Sequence, residues 1–152
     1  MKLELEIRQN IFESEAHKLH VNLLYTAYWI RGKTDQILQP YDLSVEQFNV
    51  LRILKGAGNH AVNLKYLAER MLNKQSNASR LVDKLVEKTY VVRESSPNDR
   101  RQIELKISET GLEVVREASK LVSKMNVMFD WISDQKKIDF NDSLDRIREE
   151  YN

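Results

Sequence analysis

Apolar residues recur at helical spacing along most of this sequence, and that periodicity limits the possible folds more than any other feature. Leu64, Leu67, Ala68 and Met71 stand at positions i, i+3, i+4 and i+7, the spacing of one face of a helix. Similar spacing predicts helices over residues 13–39, 44–55, 64–72, 75–88, 108–131 and 135–151. The chain also has only 4 glycines and 2 prolines, too few for the many tight turns of an all-β protein. We therefore expect a mostly α fold.

The hydrophobic period changes in two short segments near the middle of the chain. Residues 90–93 begin with an aromatic and two β-branched side chains, and residues 102–107 alternate strictly between polar and apolar. Such segments are typical of β-strands, and the second predicts a strand with Ile103, Leu105 and Ile107 facing the core. Because only a polar loop separates the two segments, we expect one small antiparallel β-hairpin.

The length and composition exclude several classes of protein. A chain of 152 residues has the size of one compact domain, so we expect residues 1–152 to form a single domain. It has no cysteine, which excludes disulfides, thiol-based redox sensing and thiolate zinc sites. No run of 18 apolar residues occurs, and the amino terminus lacks the apolar core of a signal peptide. These features predict a soluble, cytoplasmic protein that does not contact a membrane.

The charge of the whole chain is nearly balanced, but its distribution is uneven. Lys and Arg number 24 and Asp and Glu 23, which gives a formal net charge of +1. Residues 65–106 nevertheless hold 10 basic and 6 acidic side chains, between a neutral amino-terminal segment and an acidic carboxyl-terminal one. A basic middle segment is typical of a nucleic-acid footprint, although an ordinary solvated surface would give the same counts.

From residue 44 to residue 107 the predicted elements follow the order helix, helix, tight turn, helix, strand, loop, strand. This is the order of a winged helix-turn-helix, in which one helix enters the DNA major groove and the hairpin loop reaches the minor groove. The start of that helix carries hydroxyl, amide and basic groups, which suit contacts to base edges and phosphates. We expect the DNA-contacting residues to be Gln75, Ser76, Asn77, Ser79, Arg80 and Lys84 of the helix and Asp99, Arg100 and Arg101 of the loop.

Five segments carry a resemblance to a known family, namely Leu67-Ala68, Ser76–Leu85, Val92-Arg93, Asn98–Arg101 and Leu105–Gly111. Together they resemble the MarR family of bacterial transcriptional regulators. The resemblance covers about residues 44–112, and the helices within 13–39 and 108–152 are similar to the family's dimerisation arms. It implies a homodimeric, sequence-specific regulator, a repressor that an effector releases, bound to a pseudo-palindromic operator in double-stranded DNA. It also implies that Arg101 is the arginine of the wing and Asp99 its orienting partner.

Two positions depart from the family's pattern. Similar proteins usually carry glycine where this chain has Thr89, and a β-branched residue with positive φ is strained. We therefore expect the end of the DNA-contacting helix, or the entry into the strand that follows it, to differ locally from that of its relatives. The position that often holds an acidic cap before this helix is Lys74, so we expect Asn73 to cap the helix instead.

Two apolar surfaces predict that the chain is an obligate homodimer. The helix around residues 19–30 is apolar nearly all the way round, and from Val115 to Ile132 apolar residues recur at alternating spacings of three and four. A monomer would leave this apolar surface in water. We assign dimer contacts to Leu19, Leu23, Val115, Val122, Met125, Phe129, Phe140, Leu144 and Ile147.

Four aromatic residues and one cation form the candidate effector site. Tyr25, Tyr28, Trp29, Phe48 and Arg52 make either an aromatic core with a surface arginine or a pocket for a small aromatic or amphipathic acid. In the second case the rings would bury the ligand and Arg52 would bind its carboxylate. Relatives of this fold often bind such effectors between the dimer arms and the DNA-binding lobe.

Enzyme activity and metal binding are alternatives that the sequence argues against. No serine-hydrolase, zinc-protease or phosphate-loop motif occurs, and Glu109, Glu113 and Glu117 repeat at i+4 as a solvated helix face does. His17 and His20 are three residues apart, but the third histidine of the chain is distant in sequence. We expect a non-enzyme with no metal and no cofactor. A dimeric helical scaffold that acts through protein contacts remains the alternative to a DNA-binding regulator.

Overall fold

The computed structural model describes residues 1–58, 60–95 and 103–150, and most of these are helical. The strands are β1 (Val91–Ser95) and β2 (Ile103–Ile107), and 3₁₀ turns cover Gln39–Tyr41 and Met125–Phe129. The expected mostly α fold with one small hairpin is therefore confirmed. None of the helices in these described ranges is both long and apolar enough to cross a membrane. The α-helices are α1 (Leu3–Glu6), α2 (Glu15–Leu38), α3 (Val45–Gly56), α4 (Leu64–Arg70), α5 (Ala78–Glu87), α6 (Glu109–Lys124) and α7 (Asp134–Glu149).

The chain forms two compact units, residues 1–118 and residues 119–152. The core of the first unit lies where α3, α4, α5 and the hairpin meet. β1 and β2 are antiparallel, and Val62 adds an isolated bridge to Leu105, with hydrogen bonds of 3.0 and 2.8 Å between their backbones. The side chains buried there include Phe48, Val50, Leu51, Leu54, Leu67, Met71, Val82, Leu85, Val91 and Leu105. Phe48, Leu51 and Leu54 are among them and lie on one face of α3, which therefore packs against this core.

Side-chain caps fix where the helices of the first unit begin. Ser44 Oγ accepts a hydrogen bond from the Gln47 N–H at 3.2 Å, and Gln47 Oε1 accepts one from the Ser44 N–H at 3.0 Å. Together these two bonds form a capping box at the start of α3. Asn63 caps α4 by accepting from the Tyr66 N–H at 2.9 Å.

The helix predicted over residues 75–88 begins three residues later than expected, at Ala78. Its cap is Asn77, whose side chain accepts from the backbone N–H three residues further on at 3.0 Å, and the prediction that Asn73 caps the helix is wrong. Asn73 instead accepts from the Gln75 N–H at 3.1 Å and so closes a tight turn. Asparagine side chains compete with the helical backbone for hydrogen bonds, which is why the helix starts after Asn77 and does not run through it.

Two residues predicted to face the core are exposed. Leu67 is the buried residue of the short helix α4, and Ala68 next to it is exposed. Ile103 pairs with Ser95 at the end of the hairpin, beyond the buried part of the strands, and 43% of its surface remains exposed. α4 also ends two residues before the predicted boundary, because Met71 takes an extended conformation with a ψ of 138°.

The second unit consists of the end of α6, the 3₁₀ turn at Met125–Phe129, and α7. The continuous α-helix predicted as far as residue 131 therefore ends at Lys124, and the regular seam of spacings three and four is interrupted there. Ser133 caps α7 by accepting from the Lys136 N–H at 3.5 Å. The large apolar side chains of α7 are exposed, namely Ile138, Phe140, Leu144 and Ile147.

The start of α6 lies unusually close to the chain just before β1. Ser108 Oγ accepts from the Gly111 N–H at 2.9 Å and donates to the carbonyl of Thr89 at 2.7 Å. A Cβ atom on Gly111 would lie 2.2 Å from the Tyr90 carbonyl oxygen. That distance is far inside van der Waals contact, so only glycine fits at this position.

Thr89 takes a left-handed backbone conformation at the end of α5, with a φ of 61°. The Thr89 N–H donates to the Val86 carbonyl at 2.9 Å, and the Tyr90 N–H donates to the Leu85 carbonyl at 2.9 Å. These two bonds form a Schellman motif, the helix ending in which glycine usually holds this position. The expectation of a locally different helix end is therefore wrong, since the chain keeps the ending and bears the strain of a β-branched residue.

We expect Thr89→Gly to raise the free energy of unfolding by about 1 kcal/mol, because glycine takes positive φ without a steric penalty at Cβ. The Thr89 side chain is exposed, so little packing is lost. Unfolding by urea measures the change. Gly58→Ala is the reciprocal control, because Gly58 has a φ of 64° and open space around its Cβ position, and it should destabilise the protein. A Thr89→Gly protein that is less stable than the parent would contradict this account of strain.

Candidate nucleic-acid interface

α5 divides sharply into an apolar and a polar side. Val82 and Leu85 are fully buried in the core of the first unit. The opposite side exposes Ser79, Arg80, Asp83 and Lys84 to solvent. The core holds α5 by its apolar side, so the polar side chains take no part in core packing and those without a partner are available for binding.

Three of the residues predicted to contact DNA precede α5 in the turn that follows α4. Gln75 and Asn77 are exposed, and Ser76 is half-buried. The Ser76 N–H donates to the Asn73 carbonyl at 3.2 Å, which keeps this turn compact. The structure therefore brings these residues next to the amino-terminal end of α5, although it does not include them in the helix.

The charge on the polar side of α5 is positive near its start. Asp83 accepts a hydrogen bond from the Arg93 guanidinium of β1 at 2.5 Å, so its negative charge is compensated. No carboxylate of the described residues lies within ion-pair distance of Arg80. The charge of Arg80 is thus left uncompensated in a solvent-exposed position one turn before Asp83.

An ion pair fixes the carboxyl-terminal end of α5 to the junction between α2 and α3. Lys88 Nζ lies 2.8 Å from Asp42 Oδ2. The hydrogen bond from Lys88 and its charge hold the pKa of the Asp42 carboxyl below its ordinary value, and the charge of Lys84 adds to this effect. Asp42 itself has a φ of 51°, a conformation that aspartate tolerates better than most residues. At the same junction Arg31 of α2 pairs with Glu46 of α3 at 2.6 Å.

The wing residues predicted to contact DNA, Asp99, Arg100 and Arg101, lie outside the described residues. The described strands on either side of them pair in register from Val91 with Ile107 to Ser95 with Ile103.

The comparisons with known proteins agree with this arrangement. Residues 41–102 match the MarR family. The transcriptional repressor MprA of Escherichia coli K12 is 29% identical over 83 residues, which are 55% of this chain and 47% of MprA. The chain is therefore similar to the MarR family over this segment. It spans about half the length of the curated relatives that it matches.

Solved structures show the same fold. The organohalide-sensing regulator RdhR aligns with a TM-score of 0.80 over 93% of this chain and 86% of its own, at 20% identity, both ligand-free and with 2,4-dichlorophenol bound. S. aureus MepR, solved in complex with DNA, aligns with a TM-score of 0.78 over 88% of this chain and 96% of its own, at 16% identity. At these identities the likeness establishes the fold alone.

The residues predicted to form an effector site differ in their surroundings. Phe48 is buried, and the Arg52 guanidinium lies 5.9 Å from its ring centroid, so these two side chains are in contact. Tyr28 and Trp29 are exposed on α2. Tyr25 donates its hydroxyl hydrogen to Glu6 of α1 at 2.8 Å, and this bond raises the pKa of Tyr25.

An open cleft in the first unit was not indicated by the sequence. Polar and charged side chains from α5 and from the α2–α3 junction line most of it, and none of the predicted effector residues does. Its lining residues are Asp35, Gln39, Asp42, Leu43, Ser44, Gln47, Lys84, Glu87 and Lys88. The lining comes from two segments, residues 35–47 and 84–88, that are 37 positions apart, so no local pattern could have pointed to it.

The residues assigned to dimer contacts differ in exposure. Val115 is fully buried within the first unit, and Val122 and Met125 are half-buried. The remaining members are exposed, namely Leu19, Leu23, Phe129, Phe140, Leu144 and Ile147.

Proposed function

We propose that this protein is a MarR-family, sequence-specific, DNA-binding transcriptional regulator, in which α5 enters the major groove. The observation that carries the proposal is the exposed polar side of α5. There Arg80 has no carboxylate partner among the described residues, and Asp83, the acid one turn away, is paired with Arg93. The solved complex of MepR with DNA supports the same use of this fold.

The residue types on this surface suit both kinds of DNA contact. An arginine such as Arg80 can donate to both acceptors on the major-groove edge of guanine, while serine and amide side chains can approach other bases closely. The charges of Arg80 and Lys84 attract phosphates without regard to sequence. The affinity of the protein for DNA should therefore fall steeply as the salt concentration rises.

Arg80→Ala should weaken binding to the preferred duplex by about 1–3 kcal/mol and relax base discrimination. Arg80→Lys is the matched comparison, because it keeps the charge and loses the planar fork that pairs with guanine. It should retain non-specific affinity and lose discrimination. Anisotropy titrations with DNA from upstream of the protein's own gene, and with a shuffled duplex, measure both quantities.

An Arg80→Ala protein that discriminates as well as the parent would show that α5 does not read bases. Failure of the parent to bind any upstream duplex would instead favour the helical scaffold that acts through protein contacts.

The wing supplies the second part of the proposed DNA contact. On the resemblance to the MarR family we propose that Arg101 enters the minor groove and that Asp99 orients its guanidinium. Arginine is favoured in a narrow, A·T-rich minor groove, whose potential is strongly negative. The same titrations with A·T-rich and G·C-rich flanks test this part, and an Arg101→Ala protein that loses affinity equally on both would reduce Arg101 to a phosphate contact.

We propose further that the protein acts as a homodimer. In the first unit α2 exposes Leu19, Leu23 and Leu24, and in the second unit α7 exposes Phe140, Leu144 and Ile147 on one face. Apolar surface of this extent in water is unusual for a monomer. A pseudo-palindromic operator would then match the two-fold symmetry of the protein.

The parent should sediment as a dimer at micromolar concentration, and Leu144→Glu together with Ile147→Glu should shift it toward monomer, because charges would replace buried apolar contacts. Asp142→Lys changes the charge on the opposite side of the same helix and should leave the dimer intact. A folded monomer of the parent, or a dimer unaffected by the double substitution, would contradict the assignment.

We also propose that the regulator is a repressor released by a small aromatic or amphipathic acid. The candidate site comprises Tyr25, Tyr28, Trp29, Phe48 and Arg52, of which Arg52 already contacts the Phe48 ring. RdhR, of the same fold, has been solved with an aromatic ligand, 2,4-dichlorophenol. Such a ligand releases DNA only if its affinity is higher for the protein conformation that does not fit DNA than for the conformation that does.

Salicylate should raise the melting temperature and weaken DNA binding in parallel, because it stabilises the protein conformation that releases DNA. Arg52→Ala should reduce both effects, since it removes the cation that would bind the carboxylate. Arg116→Ala removes an exposed arginine of α6 and serves as the control. If a panel of aromatic acids changes neither measurement, the aromatic residues are packing residues and the release mechanism is different.

A further inference from the structure

The turn between α4 and α5 determines where the proposed DNA-contacting helix begins. Met71, the first residue after α4, is buried and leaves the helical conformation with a ψ of 138°. The next residue, Leu72, exposes 81% of its surface. Burial of the Leu72 side chain therefore cannot hold the chain at this point.

One hydrogen bond fixes Leu72 from outside the turn. Its backbone N–H donates to Asn49 Oδ1 of α3 at 2.9 Å, across 23 positions of sequence. The other hydrogen bonds that the described structure gives to residues 72–77 are local to the turn and the helices on either side of it, and they include the Asn73 and Asn77 caps. Local bonds shape the turn, but they do not tie it to another helix.

We propose that Asn49 is a positioning residue for DNA recognition, which sets the turn and hence the start of α5 through the Leu72 N–H. The inference rests on the proposed function of α5. Asn49 itself is half-buried in α3 and acts through the backbone of Leu72.

The expected consequence concerns discrimination more than affinity. Hydrogen bonds to base edges tolerate little displacement, whereas attraction to phosphates changes slowly with distance. A turn that is free of Asn49 would let the start of α5 take several positions. Contacts to bases would then weaken while contacts to phosphates persist.

The test compares the parent protein with three single variants, two of them at Asn49 and one at another residue. Asn49→Leu keeps the approximate volume and removes the acceptor, while Asn49→Asp keeps an acceptor oxygen at the same place. Ser14→Ala is the matched control, because Ser14 also accepts one backbone N–H, that of His17 at 3.1 Å, but at the start of α2. Exchange of the Leu72 amide hydrogen with solvent reports the hydrogen bond directly, without DNA.

We expect Asn49→Leu to speed exchange of the Leu72 amide about tenfold and to reduce the ratio of specific to non-specific DNA affinity about tenfold. Asn49→Asp should restore both readouts to near the parent value. Its added charge repels all duplexes alike and cancels in the ratio. Ser14→Ala should change neither.

Three results would overturn the inference. Leu72 exchange that is unchanged in Asn49→Leu would mean that the hydrogen bond does not hold the turn. Faster exchange with full discrimination would mean that the turn does not position α5. A parent protein that prefers no duplex would refute the proposed function and the positioning role with it, while the exchange data would still show whether Asn49 holds Leu72.

Discussion

Burial of the apolar side of α5 is the interaction on which the rest of the structure depends. A helix of ten residues is barely stable alone in water, so its contacts with the core keep it helical. Val82 and Leu85 are fully buried, and each such side chain contributes about 1.5–3 kcal/mol. Because this narrow stripe suffices to hold α5, the opposite side can carry polar residues that do nothing for stability.

The two ends of α5 are fixed by different means. At the start, Asn77 caps the helix through a local hydrogen bond, and the turn before it is tied to α3 by Asn49. At the other end, the backbone closes a Schellman motif at Thr89, and the Lys88–Asp42 ion pair joins the helix to the α2–α3 junction. The strain at Thr89, of the order of 1–3 kcal/mol, persists because the packed core and the close approach at Gly111 leave the chain no other path.

Local signals in the sequence predicted the elements and some of their boundaries, while contacts between distant segments could not be predicted from it. The start of α3 was predictable because Ser44 and Gln47 form their capping box within four residues. The start of α5 was not, because Asn73 and Asn77 are both good caps and the residues between them are all polar. The candidate site shows the same division, since the polar side of α5 follows from its periodicity, whereas the Arg93–Asp83 pair joins residues of two different elements.

The Arg93–Asp83 ion pair affects both the charge on the surface of α5 and the position of the hairpin. Between exposed groups it contributes little to stability, so its effect is better understood through the surface potential. With Asp83 compensated, Arg80 dominates the charge at the start of α5, although the whole chain is almost neutral. Arg93 belongs to β1, so the contact that compensates Asp83 also ties the hairpin to α5. A displacement of the hairpin would therefore change both the position of the wing and the charge that α5 presents to a polyanion.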